Sequence, residues 1–363
     1  MLIDKTEKQM KSHFLFLLIP LVFFNCTKTI TDVDVYVGTY TTGNSEGIYK
    51  FNFNTETGVL SDLKLVAKNS NPSFLSFSPN KEFLYAVNET KGGSVSAFKV
   101  EQDSLTFLNL VKSNGAHPCH ISVNPNGSQA VVSNYSGGSV SIHNIGNDGV
   151  IRKATQVFKH RTDSILSHVH SAQFFNDNLY VSDLGKNAVY QYQLENDTYQ
   201  LKKESLVELP KNAGPRHFAM TKDGSFIYII NEYASSITAA EKTDTGFKII
   251  DNYSTLSANY SGANSCADIH LSEDERFLYA SNRGENSIAV FGRGFLTGQL
   301  EKIQSINVEG NWPRNFTLDP TGKFLLVANE RSNNISVFKV DFDSGKLSFL
   351  NTTKIPTPVC LIF

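Results

Sequence analysis

From residue 34 onward, short apolar runs alternate with turn-forming clusters. Runs such as "FIYIIN" (Phe226–Asn231) and "FLLVAN" (Phe324–Asn329) follow an Asp-Gly or Thr-Gly pair and end on an Asn. They have strand length and are rich in β-branched and aromatic side chains. No long segment spaces its apolar residues at helical intervals, so the pattern predicts an all-β domain.

The pattern also repeats. "NPSFLSFSPNKEFLYAVNE" starts at Asn71, "HPCHISVNPNGSQAVVSNY" at His117, "HVHSAQFFNDNLYVSDL" at His168 and "GPRHFAMTKDGSFIYIINEY" at Gly214. "SCADIHLSEDERFLYASNR" follows at Ser265 and "WPRNFTLDPTGKFLLVANE" at Trp312. The chain ends on "TPVCLIF", from Thr357, which matches only the first half of the unit. Aligned at Pro72, Pro118, His168, Pro215, Cys266, Pro313 and Pro358, the copies recur about every 45–51 residues. Four strand candidates per unit at that period read as one propeller blade. The part missing from the last copy stands near the other end, in "DVYVGTY" (Asp34–Tyr40) and "EGIYKFNF" (Glu46–Phe53). The expected fold is a seven-bladed β-propeller of four-stranded antiparallel blades. Its seam lies between Val359–Phe363 and Val35–Tyr40, which removes two exposed sheet edges.

Within a unit, an inner strand follows the Pro, a Gly-containing turn reverses the chain, and a second strand returns. A two-residue turn at Asp223-Gly224 sets Arg216 opposite Asn231, with Glu232 one place further. Both polar ends then lie at one mouth of the central channel, where equivalent positions of all blades converge. The position of Arg216 is filled in order by Ser73, Cys119, Val169, Arg216, Ala267, Arg314 and Val359. The next holds Phe74, His120, His170, His217, Asp268, Asn315 and Cys360. A polar residue closes the second strand in six units (Asn88, Asn134, Asp183, Asn231, Asn282, Asn329), which implies a structural role with backbone groups. The residue after it varies: Glu89, Tyr135, Leu184, Glu232, Arg283, Glu330, with Thr39 at the seam. The mouth therefore collects Arg216, Arg283, Arg314, Glu89, Glu232, Glu330, Asp268 and the imidazoles of His120, His168, His170, His217 and His270. Charges gathered around an axial opening are a binding-site signal, because unpaired charge is expensive to bury. The plainer reading of Arg216 and Glu232 is a cross-hairpin ion pair, and that of His217 a packing residue. His143 and His160 read as peripheral. The His117/His120 and His168/His170 spacings alone are weak metal signals, and no metal or cofactor is expected.

Composition narrows the function classes. The chain has 363 residues, 40% apolar and 19% charged, enough for a large core. A net charge of −2 gives no electrostatic reason for a nucleic-acid partner. The glycine pairs Gly92-Gly93 and Gly137-Gly138 fall at second turns, so they are hairpin residues and not phosphate loops. The N-terminus is different in kind. Lys8 and Lys11 flank an apolar stretch from Phe14 to Phe24, and Cys26 follows. The stretch is too short to span a bilayer and fits a signal segment that ends in a lipidated Cys. The expected organisation is a leader over residues 1–26, a linker over 27–33 and the propeller over 34–363. The mature domain would lie outside the cytoplasm and meet the membrane only through the lipid; an unprocessed leader would leave it cytoplasmic. Beyond Cys26 only Cys119, Cys266 and Cys360 remain, an odd set that argues for small buried side chains and against a disulfide framework.

"YVGTYT" (Tyr36–Thr41), "HVHSA" (His168–Ala172), "GPRH" (Gly214–His217), "NE" (Asn231, Glu232), "SNRG" (Ser281–Gly284) and "PRNF…DPTGKFLLVAN" (Pro313–Asn329) resemble the motifs of the seven-bladed propeller lactonase family. That family includes bacterial 6-phosphogluconolactonase of the propeller type and fungal carboxy-cis,cis-muconate cyclase. The resemblance implies a small sugar-derived lactone, neutral or anionic, as substrate. It also implies a site of one His, two Arg and one Glu: His170 or His168, Arg216, Arg283 and Glu232. Arg314, His217, Asp268, His270 and His120 are the neighbouring candidates for substrate contact. Asp268 stands where the family pattern carries Glu. Lactone hydrolysis, a muconate-type cycloisomerisation and non-catalytic ligand binding all remain open at this point. A phosphorylated lactone belongs to cytosolic metabolism, so a processed leader implies an unphosphorylated one.

Overall fold

The structure is a computed structural model that describes residues 31–363 apart from 163, 165 and 204. The leader and Cys26 lie outside the described residues. Every regular element among the described residues is a strand, and the strands form seven four-stranded antiparallel sheets. Blade 4 is typical: Pro215–Met220 innermost, then Phe226–Asn231, Ser236–Thr243 and Gly246–Ser254. Its second strand is buried at all six positions, because both faces are covered by neighbouring blades, while its outermost strand is mostly exposed or half-buried. Blade 1 departs from the expected start, since its inner strand is only Leu75–Phe77.

The ring closes as the split repeat predicts. Pro358–Ile362 pairs with Asp32–Thr39 at Tyr36↔Ile362 and Val37↔Leu361, and the last seven-residue fragment supplies the inner strand of the seam blade. Seven apolar clusters fill the seven gaps between blades. At the seam, Val35, Phe51 and Phe53 pack on Phe324, Leu326 and Val337 of blade 6, and Tyr36 and Ile48 pack on Leu75, Leu84 and Phe98 of blade 1. A fully buried Phe or Leu stabilises by about 1.5–3 kcal/mol, so each interface is a substantial local core. Buried tyrosines tie blades together at one face: Tyr85, Tyr228 and Tyr279 donate their hydroxyls to the carbonyls of Gly149, Gly298 and Gly345 in the next blade.

Two sequence expectations change. The hairpin of blade 4 has a four-residue turn, closed by Gly224 N–H on the Thr221 carbonyl (2.8 Å), with Gly224 in the left-handed region at φ 72°. The register also slips at the mouth. Phe218↔Ile229 and Ala219↔Tyr228 pair as expected, but a bulge between Pro215 and Phe218 sets Pro215, not Arg216, opposite Asn231. The same irregularity follows Pro118, Val169, Cys266 and Pro313. A bulge leaves its extra residue unpaired and re-aims the side chain, and the residues so released include Cys119, His170, Arg216 and Arg314. Strain accompanies this. Asn71, His117, Gly214, Trp312 and Thr357, each directly before the Pro at the start of its repeat unit, have φ between 41° and 71°. Most of the recurring polar residues serve backbone groups: Asn88, Asn134 and Asn282 donate to the carbonyls of Ser70, Ser113 and Thr255, and Asp183 accepts from His168 and Lys186 N–H, whereas Asn231 donates to the Ser236 and Thr238 hydroxyls.

Candidate active site

At the mouth, Glu232 bridges two buried guanidinium groups. Its Oε2 lies 3.2 Å from Arg216 Nε and 2.9 Å from Arg283 Nη2. The two arginine side chains are 3% and 5% exposed and the glutamate 17%, so the carboxylate alone faces the opening. Backbone carbonyls fix both arginines. Arg216 Nη1 donates to Ala267, and Arg283 donates to Ser265 and, at 2.7 Å, to Cys266. Trp312 packs 5.4 Å from the Arg283 guanidinium, carried there by its left-handed backbone. Arg216 Nε makes no hydrogen bond despite its contact with Glu232, which leaves an unspent donor at the mouth.

Arg314 stands across the opening with Tyr40 and Glu89. Its guanidinium lies 5.3 Å from the Tyr40 ring and 3.9 Å from Glu89 Oε2, which accepts the Tyr40 hydroxyl at 2.9 Å. Burial disfavours charge on Arg314, but Tyr40, Glu89 and Glu330 outweigh it and hold the guanidinium firmly protonated. Glu330 Oε2 is buried without a hydrogen-bond partner, a second unspent group. Arg216 is the opposite case: burial, then Arg283 and Arg314, push its pKa down to about 10.

His170 is buried beside these arginines. Burial, followed by Arg216, His217, Arg314 and Arg283, drives its pKa well below the ordinary value, so the ring is neutral at physiological pH. His168 stacks on Tyr135 at 4.5 Å, and His170 meets the same ring edge-on at 5.6 Å. Both alternatives left open by the "HVHS" motif thus touch Tyr135, with His170 the one enclosed by the arginines.

Asp268 has another role. Burial opposes its charge, but His270 and His217 hold it well below the carboxylate range. It accepts from His217 Nδ1 at 2.8 Å, His270 Nε2 at 3.1 Å, Asn315 Nδ2 at 2.5 Å, and the Ile269 and Phe316 N–H groups. The carboxylate is saturated by blades 4, 5 and 6 and acts as an inter-blade hub. His217, whose pKa burial and Arg216 push down to about 4, joins the hub to the mouth through Arg216 Nη1 at 3.3 Å. His270 and His120 face the other way. His270 lines a groove of about 620 Å³ with Ser272, Asp319 and Phe342. His120 packs on Phe74 and lines a cavity of about 560 Å³ with Phe77, Phe174 and Phe363. The His217 ring stands 5.5 Å from that of His120 and 5.2 Å from that of His170. His143 and His160 are away from the mouth but fully packed, on Ser141 and on Asp183 and Tyr192.

The structure therefore brings Arg216, Arg283, Glu232, His170 and Arg314 to one opening, with His217 and Asp268 beneath. Sequence reasoning did not single out Tyr40 or Trp312 and gave Tyr135 no role, although each stands beside a mouth position in its repeat. Among the described residues, no three His, Cys, Asp or Glu side chains gather as a metal would require. Cys119, Cys266 and Cys360 are buried free thiols.

Known proteins share this arrangement's frame. A 6-phosphogluconolactonase of Bacillus subtilis is 35% identical over 341 residues, covering 90% of this chain and 97% of its own. One of Formosa agariphila is 36% identical, with 87% and 95% covered. The solved structure of the Pseudomonas aeruginosa periplasmic gluconolactonase superposes with a TM-score of 0.84 at 29% identity, covering 91% of this chain and 98% of that one. The family profile described as "Lactonase, 7-bladed beta-propeller" matches residues 34–363. The chain belongs to the seven-bladed β-propeller lactonase family.

Proposed function

We propose that this lactonase hydrolyses an unphosphorylated sugar-derived lactone outside the cytoplasm, with the ester bound at the Arg216–Glu232–Arg283 mouth. The observation that carries the reading is the carboxylate held between two buried guanidinium groups at the wet end of the channel. Glu232 takes a proton from water as the oxygen adds to the lactone carbonyl. Arg216 and Arg283 stabilise the oxyanion that forms, from positions already fixed by backbone carbonyls. When the ring C–O bond breaks, the proton on Glu232 passes to the departing ring oxygen, leaving a hydroxy acid. His170 is held neutral among three cations, which makes it a poor proton acceptor and a suitable hydrogen-bonding partner for the sugar hydroxyls. The unspent Arg216 Nε and Glu330 Oε2 are further groups for a polyhydroxy ligand.

The charge-apolar-Cys leader supports the extracytoplasmic site and, with it, an unphosphorylated substrate; the relative from P. aeruginosa is itself a periplasmic gluconolactonase. The test is acid release from gluconolactone and from its 6-phosphate by the purified full chain, in heavy-oxygen water. The expected result is faster turnover of the plain lactone with one solvent oxygen in the product. Preference for the phosphate ester would overturn the substrate assignment, and product without solvent oxygen would overturn hydrolysis.

A further inference from the structure

The face opposite the Arg–Glu mouth is built from two sets of loops, between strands one and two and between strands three and four of each blade. Contacts between the sets show that they share this face. Lys323 Nζ lies 3.1 Å from Glu56 Oε1, and Arg276 Nη2 donates to the Phe342 carbonyl at 2.7 Å. The described chain enters here too. The Thr31 carbonyl accepts the N–H (2.7 Å) and hydroxyl (3.0 Å) of Thr55, in the outer loop of the seam blade.

The outer loops are not alike, although the blades are. In blades 1 to 4 they carry Gln102-Asp103, Asn147-Asp148, Asn196-Asp197 and Asp244-Thr245. In blade 5 the loop presents Phe295 and Leu296, 70% and 85% exposed; in blade 6, Phe342, 75% exposed; in the seam blade, Val59, 49% exposed. These three blades are consecutive, and the last of them is the one the N-terminal segment enters. The four polar loops are an internal control: an outer loop of this fold needs no apolar tip. The tips are also held firmly. Buried Tyr228 and Tyr279 anchor the loops of blades 5 and 6 through Gly298 and Gly345, both at 3.0 Å. The Arg293 and Arg276 guanidinium groups stack 5.4 and 4.6 Å from the Phe295 and Phe342 rings. Rigidly presented, water-exposed Phe and Leu side chains are the signature of a surface that meets something apolar.

We propose that this sector of the ring rests on a lipid bilayer, with Phe295, Leu296 and Phe342 at the headgroup–acyl boundary and the Arg–Glu mouth opening away from the membrane. The inference rests on the lipid-anchor part of the proposed function and not on its chemistry. The segment from Cys26 to Thr31 is so short that a lipid on Cys26 would hold this face within roughly 20 Å of the bilayer. One lipid attachment leaves orientation free, and three apolar tips in the same sector supply the second contact that fixes it.

The test uses the full chain bound to phosphatidylethanolamine–phosphatidylglycerol vesicles that contain brominated acyl chains. The single native tryptophan, Trp312, belongs to the mouth and is the reference. Phe295→Trp adds a second indole at the tip. The expected result is loss of roughly half of the added emission, at a depth the bromines reach, with the wild-type signal unchanged. Added emission that stays unquenched on vesicle-bound chain overturns the proposal, as does quenching of Trp312 in the wild type. A dimer in solution that Phe295→Ser, Leu296→Ser and Phe342→Ser together dissolve also overturns it, since the tips would then cover a second copy. Mass measurement at Cys26 reports the anchor separately: quenching without lipidation still supports the tip contact, and activity on lactones has no bearing on either readout.

Discussion

Replacing Arg216 by methionine separates a catalytic cation from a structural ion pair. Burial, then Arg283 and Arg314, lower the Arg216 pKa from 12.5 to about 10 even with Glu232 in contact. At neutral pH that corresponds to about 3 kcal/mol held against the folded state. Arg216→Met keeps a long apolar stem and removes this term. It also removes the hydrogen bond to the Ala267 carbonyl, whose loss costs about 1–3 kcal/mol. Glu232 is not orphaned, because Arg283 remains 2.9 Å away and the carboxylate reaches solvent. The opposing terms nearly cancel, so the variant stays within about 2 kcal/mol of wild type. A pair kept for stability behaves differently: breaking it destabilises by about 3–5 kcal/mol. For a domain of this size about 2 °C corresponds to each kcal/mol. The thermal midpoint therefore moves by less than about 4 °C, while kcat on gluconolactone falls about 10²–10³-fold through loss of an oxyanion donor. Differential scanning calorimetry and pH-stat hydrolysis measure the two. A midpoint lowered by more than about 6 °C, with turnover within about tenfold of wild type, would refute the reasoning and return Arg216 to a structural role.

Three further outcomes follow from the same geometry. Glu232→Gln keeps shape and removes the base, so kcat falls about 10²–10⁴-fold while KM changes little; recovery of the loss at high pH by hydroxide would support the role, and unchanged turnover would exclude it. His217 has a folded pKa of about 4 against 6.5, so its stabilisation is complete above pH 6.5 and is lost as pH falls toward 4, about 3 kcal/mol in all. His217→Gln, which cannot titrate, should flatten the decline of the urea midpoint between pH 7 and pH 4, and an unchanged slope would sink this assignment. Asp268→Asn replaces one of the two acceptor oxygens with an NH2 donor, which then faces either the Ile269 N–H (on Oδ1) or the Phe316 N–H (on Oδ2), and should lower stability by about 3 kcal/mol or more, seen as a fall in thermal midpoint of about 6 °C; a midpoint equal to wild type would remove Asp268 from its place as hub.

The frame was legible in the sequence because each blade repeats one solution. Period, turn glycines and the split seventh unit each report the same closure, and they agree with the Tyr36↔Ile362 pairing at the seam. Which residues share the mouth was legible for the same reason: near-symmetry maps Arg216, Arg283 and Glu232 to one end of the ring. Their contacts were not. Simple pairing across the hairpin set Arg216 opposite Asn231, but the bulge after Pro215 shifts the register where it matters. A bulge has no composition of its own, so nothing in "GPRHF" announces it beyond Gly214, the left-handed residue that starts it. His120 and His270 were grouped with the mouth because they lie on inner strands. An inner strand has two ends, and period-two alternation does not say how far along the axis a side chain stands. Asp268 misled in another way, since a carboxylate that meets three blades leaves no local pattern in any one of them.

Symmetry explains the fold and broken symmetry explains the site, and the two are connected physically. Positions that repeat, such as the Asn or Asp closing the second strand in six of the seven blades, mostly satisfy backbone groups of the neighbouring turns. Positions that vary lie where backbone demands are already met, so their side chains are free to carry charge. That freedom has a limit, because three guanidinium groups around one axis repel and are desolvated. The ring tolerates them by giving each a different neighbour. Arg283 has Glu232 and two carbonyls, Arg314 has Tyr40 and Glu89, and Arg216 has the least, an ill-aligned Glu232 and one carbonyl. Burial, Arg283 and Arg314 push the pKa of Arg216 down to about 10, and burial lowers that of Arg283 as well. An anion arriving at the mouth makes up the difference, and a lactone carbonyl becomes an anion only as water adds to it. On the proposed mechanism, the least-compensated cation would favour the tetrahedral intermediate over the neutral ester, which is the condition for lowering a barrier and not merely binding a substrate.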